Sequence, residues 1–353
     1  MPAVSPIRLV VLFGGRSAEH DVSRVTARHV LAAADPDRYE LVAVGITRDG
    51  RWVRVHLDAD PTRWGDSLEI VGDDVDPWSV LTADTVVLPL LHGPMGEDGT
   101  VQGLLETAGV AYVGTGVLGS AVSMDKIVAK RLAAEAGVAQ ADWCGLHASE
   151  LAAPDGERTL DAVAARLGFP MFVKPANMGS SIGVSKVVDR DGLRPAVDLA
   201  LAHDEWIVIE EGVTAREIEV AVLGHTTSPR ASVPGEIVAA AEFYDYDDKY
   251  ADGAAELYVP AQLRPAETEE VRRLACAVFR SHRAEGMARV DFFYEEGGRG
   301  WLFNEINTIP GFTPISMYPR LWQATGLTYR GLIDELVGLA IERHDSVRRW
   351  RTD

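Results

Sequence analysis

The first third of the chain alternates strand-like and helix-like segments, and that order restricts the fold more than any other feature. Arg8 to Phe13 reads as a buried strand, Ala18 to Ala33 as a helix behind Ser17, and Leu41 to Thr47 as a second strand. Thr85 to Leu90 and Val101 to Ala108 repeat the order. Such alternation predicts a parallel sheet covered by helices, with functional loops at the carboxyl ends of its strands. The polar, tryptophan-bearing stretch from Asp49 to Ser79 reads as peripheral loops and short strands.

A glycine-rich link (Gly114, Gly116, Gly119) gives way near Ser123 to a helix from Lys126 to Ala136. Strands follow at Phe172 to Lys174, Val184 to Val187, Trp206 to Glu211 and Glu217 to Leu223, with a helix around Arg194 to His203. The last stretch holds a long helix, Glu267 to Glu285, and a hairpin of Ala288 to Tyr294 and Trp301 to Ile306 across Glu295-Glu296-Gly297-Gly298. Helices near Met317 to Ala324 and Tyr329 to Arg343 close the chain. With 353 residues the chain exceeds what one core supports. The expected division is an N-terminal α/β unit, 1–122, and two α+β units, 123–223 and 224–353.

The balance of 53 acidic against 34 basic residues, net charge -19, argues against a nucleic-acid or anionic-membrane partner held by a positive field. Lysines number only five, Lys126, Lys130, Lys174, Lys186 and Lys249, and three of them fall in the motifs below. Cys144 and Cys276 lack metal-ligand spacing and read as small core residues of a reducing compartment. No segment approaches the roughly 20 apolar residues of a membrane span, and the start lacks the pattern of a secretory signal. A cytoplasmic location is the expectation.

The strongest chemical signal lies in the last hairpin. Glu305 and Asn307 are two apart and share one strand face, and a turn centred on Gly297 and Gly298 sets Asp291 opposite residue 304 or 305. Two carboxylates and an amide oxygen form a hard-oxygen set that suits magnesium. Any one of them alone reads equally well as the polar face of a strand. A second signal runs Lys174-Pro175-Ala176-Asn177-Met178-Gly179-Ser180-Ser181-Ile182-Gly183, a strand ending in a lysine and then a loop of small residues. Its backbone N–H groups, hydroxyls and ammonium suit phosphate, although a plain hairpin turn has the same composition. A third, Ile207-Val208-Ile209-Glu210-Glu211-Gly212 with Arg216-Glu217 beyond it, would flank an adenine and a ribose, or simply form a strand with a polar face.

Taken in order, five motifs resemble the D-alanine:D-alanine ligases of the ATP-grasp superfamily. They are Gly14-Gly15-Arg16-Ser17-Ala18-Glu19-His20-Asp21-Val22-Ser23, His92-Gly93-Pro94-Met95-Gly96-Glu97-Asp98-Gly99, Ser123-Met124-Asp125-Lys126, the lysine-to-glycine loop, and Asn304-Glu305-Ile306-Asn307 with Pro310-Gly311. The resemblance implies an ATP-grasp fold behind an N-terminal parallel-sheet domain. It also implies joining of two D-alanine molecules through a D-alanyl phosphate, for peptidoglycan precursor synthesis.

By the same resemblance, Lys126, Lys174, Ser181, Glu210, Glu211, Val213, Glu217, Lys249 and Asn304 would bind ATP. Asp291, Glu305 and Asn307 would hold two magnesium ions, with manganese as a substitute and a monovalent cation such as K+ left open. Glu19, Ser180 and Tyr250 would surround the first D-alanine with His92 nearby. Arg289 and the Gly311 N–H would face the oxyanion, and Ser316 and Met317 the second substrate. Phe243 to Tyr250 resembles a closing loop. A homodimer is implied as well. The alternatives are a D-lactate or D-serine second substrate, disfavoured by the intact Asp248-Lys249-Tyr250, and a nucleotide-binding regulator without activity. A dinucleotide-dependent dehydrogenase lacks the required third glycine after Gly14-Gly15.

Overall fold

The computed structural model describes residues 5–239 and 255–348. Lys249, Tyr250 and the whole expected closing loop lie outside the described residues.

Strand β1 (Ile7–Gly14) carries side chains buried on both faces and pairs in parallel with β2 (Tyr39–Ile46) on one side and β5 (Thr85–Pro89) on the other. A strand covered on both faces must be apolar throughout, and Leu9 to Phe13 are. Short strands β3 (Trp52–Val55), β4 (Gly72–Asp74) and β6 (Ala111–Tyr112) complete a six-stranded sheet of order β4-β3-β2-β1-β5-β6. Helices α1 (His20–Ala33), α2 (Pro77–Val80) and α3 (Thr100–Ala108) follow β1, β4 and β5 in the chain. The polar 49–79 stretch thus becomes an antiparallel margin.

Helix α4 (Val117–Met124) leads into α5 (Lys126–Glu135), whose start is fixed by Asp125: its carboxylate accepts the Val128 N–H at 2.9 Å. A second sheet follows, built from β7 (Trp143–His147), β8 (Met171–Pro175), β9 (Ser185–Val187) and β10 (Trp206–Glu211), with α6 (Ala148–Ala152), α7 (Gly156–Leu167) and α8 (Arg190–Leu201). Its order is β7-β10-β8-β9, antiparallel throughout. Helix α8 starts four residues before the expected Arg194, because Asp189 caps it through the Gly192 N–H.

The third sheet has order β13-β12-β11-β14-β15, formed by β11 (Arg216–Gly224), β12 (Arg230–Ala239), β13 (Ala255–Tyr258), β14 (Gly286–Glu295) and β15 (Gly300–Asn307). Strand β11, expected in the central unit, pairs here instead, along its full length with β14. Its Ile218, Val220 and Val222 pack with Val271, Val278 and Phe279 of α9 (Pro265–Ser281). Ala221 and Leu223, on its other face, belong to a core shared by α10 (Met317–Ala324), α11 (Tyr329–Arg348) and the N-terminal sheet. That shared core joins the first and last parts of the chain, and the Tyr39 hydroxyl adds a 2.6 Å bond to Asp334.

Candidate active site

The β14–β15 hairpin is not a regular ladder. Tyr294 pairs with Trp301, Phe293 with Leu302 and Phe292 with Phe303, but Asp291 pairs with Glu305, so Asn304 is an extra residue in a bulge. The bulge resets the alternation. Trp301, Phe303 and Ile306 all point into the α9 core, whereas Glu305 and Asn307 fall on the face of Arg289 and Asp291. Without it, Glu305 would continue the inward series set by Trp301 and Phe303.

On that face the expected metal set converges. Asn307 Nδ2 lies 3.0 Å from Asp291 Oδ2 and 3.4 Å from Glu305 Oε1. Turning the amide about its bond presents oxygen instead, which a cation at this centre requires. Among the described residues no group of three or more His, Cys, Asp or Glu forms a closed cage. Two carboxylates and one amide are an open set, of the kind magnesium completes with phosphate and water. Arg289 grips Asp291 with two bonds of 2.8 and 2.7 Å, and its Nε lies 3.1 Å from Glu219. Burial opposes a charge there, but Asp291 and Glu219 hold the Arg289 proton more tightly than usual.

Lys126 ties this centre to the loop of small residues: its Nζ donates to Met178 O at 2.6 Å and lies 3.8 Å from Glu305. In that loop Ser180 and Ser181 have φ of 49° and 59°, left-handed backbone that side chains rarely adopt. The Ser180 hydroxyl donates to Glu19, 161 residues away in sequence. Glu19 stands at the start of α1 but makes no cap with its side chain. Its carboxylate faces the loop, so the helix-dipole role open to any first-turn acid does not account for it. Around it the backbone comes very close: a Cβ on Gly93 would sit 2.6 Å from Glu19 Oε2.

His92 leaves the end of β5 and is 5 % exposed. Its Nδ1–H donates to Ile309 O at 3.0 Å, so Nε2 keeps a lone pair, which has no partner among the described residues. Burial holds His92 below its usual range. Glu97, 3.8 Å from the His92 ring, accepts the Gly93 N–H; burial, and then the Glu19 carboxylate, push its carboxyl up to about 8.

At the other end of the cleft, Glu210 Oε2 accepts from Lys174 at 2.9 Å, and Oε1 lies 3.2 Å from Lys130. Burial works against ionising Glu210, yet Lys130 and Lys174 hold its carboxyl down at about 2. Removing one partner from such a buried set costs about 3–5 kcal/mol. Glu211 faces the rim, bonded to the Asp142 N–H at 2.7 Å and to Arg299. Val213 is half-buried between β10 and β11, Glu217 is exposed at the start of β11, and Asn304 is the half-buried bulge residue.

Ser316 begins α10, with its Oγ 2.7 Å from Thr313 Oγ1 and close to Gly311, where a Cβ would come within 3.2 Å. Met317 is 6 % exposed and packed in the core, so it supports Ser316 rather than facing the cleft. Three residues of this site had no role in the sequence reading. Lys130 follows Lys126 by one helical turn and shares its face, a spacing visible in the sequence. Glu97 lies inside a quoted motif, and Glu219 sits two from Glu217 on the same strand face.

Known proteins resemble this chain along nearly its whole length. Residues 8–115 match the family described as D-ala D-ala ligase N-terminus, and residues 132–338 match D-ala D-ala ligase C-terminus. The D-alanine--D-alanine ligase of Geobacillus thermodenitrificans is 44% identical over 362 residues, covering 96% of each chain. That of Paenarthrobacter aurescens is 45% identical over 381 residues, covering 98% of each. Among solved structures, the D-alanine-D-alanine ligase from Coxiella burnetii superposes with TM-score 0.80 at 31% identity, over 98% of this chain and 97% of that one. The VanG D-Ala:D-Ser ligase from Enterococcus faecalis gives TM-score 0.79 at 30% identity, over 95% and 100%. With both family regions present in order and relatives of this similarity along nearly its whole length, the chain belongs to the D-alanine–D-alanine ligase family.

Proposed function

We propose that the chain joins two D-alanine molecules with ATP, through a D-alanyl phosphate, to supply a peptidoglycan precursor. One observation carries the reading: the Lys126 ammonium touches both the loop that holds Ser180 and the Glu305 carboxylate, while Ser180 meets Glu19. Segments from all three sheets therefore border one cleft, with an ammonium acceptor at one end and phosphate-binding groups at the other.

In this reading Glu19 and Ser180 anchor the first D-alanine by its ammonium. Its carboxylate oxygen bonds to the γ-phosphorus as the bond to ADP breaks. Lys126 and Lys174 offset the repulsion between the carboxylate and the polyphosphate. Asp291, Glu305 and Asn307 would hold two magnesium ions, which supply charge neutralisation and orientation of the phosphates. The second D-alanine, as a free amine, forms the new C–N bond at the acyl carbon, and phosphate leaves. Arg289 and the Gly311 N–H stabilise the intervening oxyanion, a contribution of about 3–4 kcal/mol per donor. His92 Nε2, buried with an open lone pair, is suited to hold a proton donor of the bound substrate. A homodimer in the cytoplasm belongs to the same reading.

Chromatographic analysis of products from ATP, magnesium and D-alanine tests it. D-Alanyl-D-alanine and ADP are expected in equal amounts. Absence of D-alanine-dependent ADP formation, or more depsipeptide than dipeptide when D-lactate competes at neutral pH, would overturn it.

A further inference from the structure

Lys130 projects from α5 on the same face as Lys126, one turn further from the helix start, and its side chain is only 1 % exposed. It lies too deep to meet a nucleotide directly. What it does meet is Glu210: the ammonium stands 3.2 Å from Oε1, while Lys174 donates to Oε2. Lys174 comes from β8 and Glu210 from the neighbouring β10, so one carboxylate is clamped between two ammoniums from two sides. Within the trio two ammoniums face one carboxylate, and the Glu305 charge, with Glu217 for Lys174, acts on them from further off. A lone Lys174–Glu210 pair would be neutral, and every phosphate approaching Lys174 would compete with a carboxylate that has no other partner. Deep ion pairs contribute little net stability over apolar packing, so the consequence of this trio lies in the field it presents to the cleft.

We propose that Lys130 is a positioning residue for nucleotide binding: by sharing Glu210 it keeps that carboxylate from holding Lys174 alone and leaves the Lys174 ammonium available to the polyphosphate. The inference rests on the reading of this cleft as a nucleotide site.

A double-mutant cycle on the full chain tests it, read by calorimetric binding of ADP with magnesium and by the KM for ATP. Lys130→Met is expected to weaken ADP binding about 10-fold and raise the ATP KM similarly, with kcat at saturating ATP within about 3-fold of the parent. Lys130→Arg, which restores the charge, is expected to bind ADP within about 3-fold of the parent. In a Glu210→Gln background the same Lys130→Met change is expected to matter less than about 2-fold, because a buried lysine without its carboxylate gives up its proton. A merely structural lysine would not show this dependence on Glu210. Equal losses in both backgrounds, or unchanged ADP binding by Lys130→Met, would overturn the proposal. Should Lys130→Met alone fail to fold, Lys130→Gln enters the cycle in its place with the same expectations. A parent protein that binds ADP but makes no dipeptide removes the proposed activity and leaves the cycle readable; one that does not bind ADP removes both.

Discussion

Asp291 and Glu305 are partners across the β14–β15 ladder, and the register slips by one residue immediately beyond them. Their carboxylates share Asn307 between them, within 3.0 and 3.4 Å of its amide nitrogen. The proposed function assigns this pair to a divalent cation bound with the nucleotide. Glu305→Ala is expected to cut D-alanine-dependent ADP formation by a factor on the order of 10² to 10³. The same variant should lose the effect of magnesium on ADP affinity, measured by calorimetry with and without the metal. Undiminished turnover in Glu305→Ala would place the metal elsewhere.

Arg289 shares a strand face with Asp291, and the proposed mechanism assigns it, with the Gly311 N–H, to the oxyanion. Arg289→Ala should lower kcat roughly 10²- to 10³-fold, while ADP binding changes by no more than about 3-fold. Arg289→Lys is not expected to restore it, because the grip on Asp291 uses two nitrogens of a planar fork. Steady-state kinetics with both substrates saturating separate these outcomes.

Glu19 is the expected acceptor of the first ammonium. Replacing it with glutamine removes a charge-assisted bond of about 1.5–3 kcal/mol. The expected result is an increase in the KM for the first D-alanine of roughly 10- to 100-fold, at an unchanged ATP KM. An effect confined to ATP would assign Glu19 to the nucleotide instead.

Glu97 gives a pH dependence whose sign follows from its environment. Burial first, and the Glu19 carboxylate next, raise its carboxyl from 4.5 to about 8. Between those values the folded protein keeps a proton that the unfolded chain releases, so stability falls as pH rises through that window. Below about 4.5 both states are protonated and the penalty is absent. Glu97→Gln removes the ionisable group. Its stability relative to the parent should therefore improve from pH 5.5 to pH 8, by at most on the order of 3 kcal/mol. Thermal melts at the two pH values check this; a constant difference would mean that Glu97 is ionised in both.

The parts of the site that the sequence made legible are those whose geometry is local. Glu305 and Asn307 share a face because a strand has a two-residue period, and the Gly297-Gly298 turn brought Asp291 to within one residue of its partner. The remaining ambiguity, residue 304 or 305, was the bulge itself, which depends on packing of Phe303 and Ile306 against α9. Helix α10 and strand β10 have the expected bounds, and most other elements end within a few residues of expectation. Strands β6, β7, β12 and β13 and helices α2, α4, α6 and α7 were not anticipated. The placement of β11 was not legible either, because pairing partners far apart in the chain leave no local periodic mark. Lys130 went unassigned although its spacing from Lys126 was in plain view, since a lysine on a helix is ordinarily a solvated one. Only its burial beside Glu210 distinguishes it.

The extra residue in β15 lets one strand carry two alternations: Trp301 and Phe303 face the aromatic layer from odd positions, Ile306 faces it from an even one, and Glu305 and Asn307 stand on the open side. Asn304 itself stands outside the pairing, so a chain one residue shorter here would still set Phe292 opposite Phe303 and Asp291 opposite Glu305, as neighbours in an unbroken ladder. What the position supplies is the local bend and added twist that an unpaired residue gives a strand. Lineages of this chain can therefore lose it without exchanging the two faces, at the cost of a straighter ribbon beneath the carboxylates.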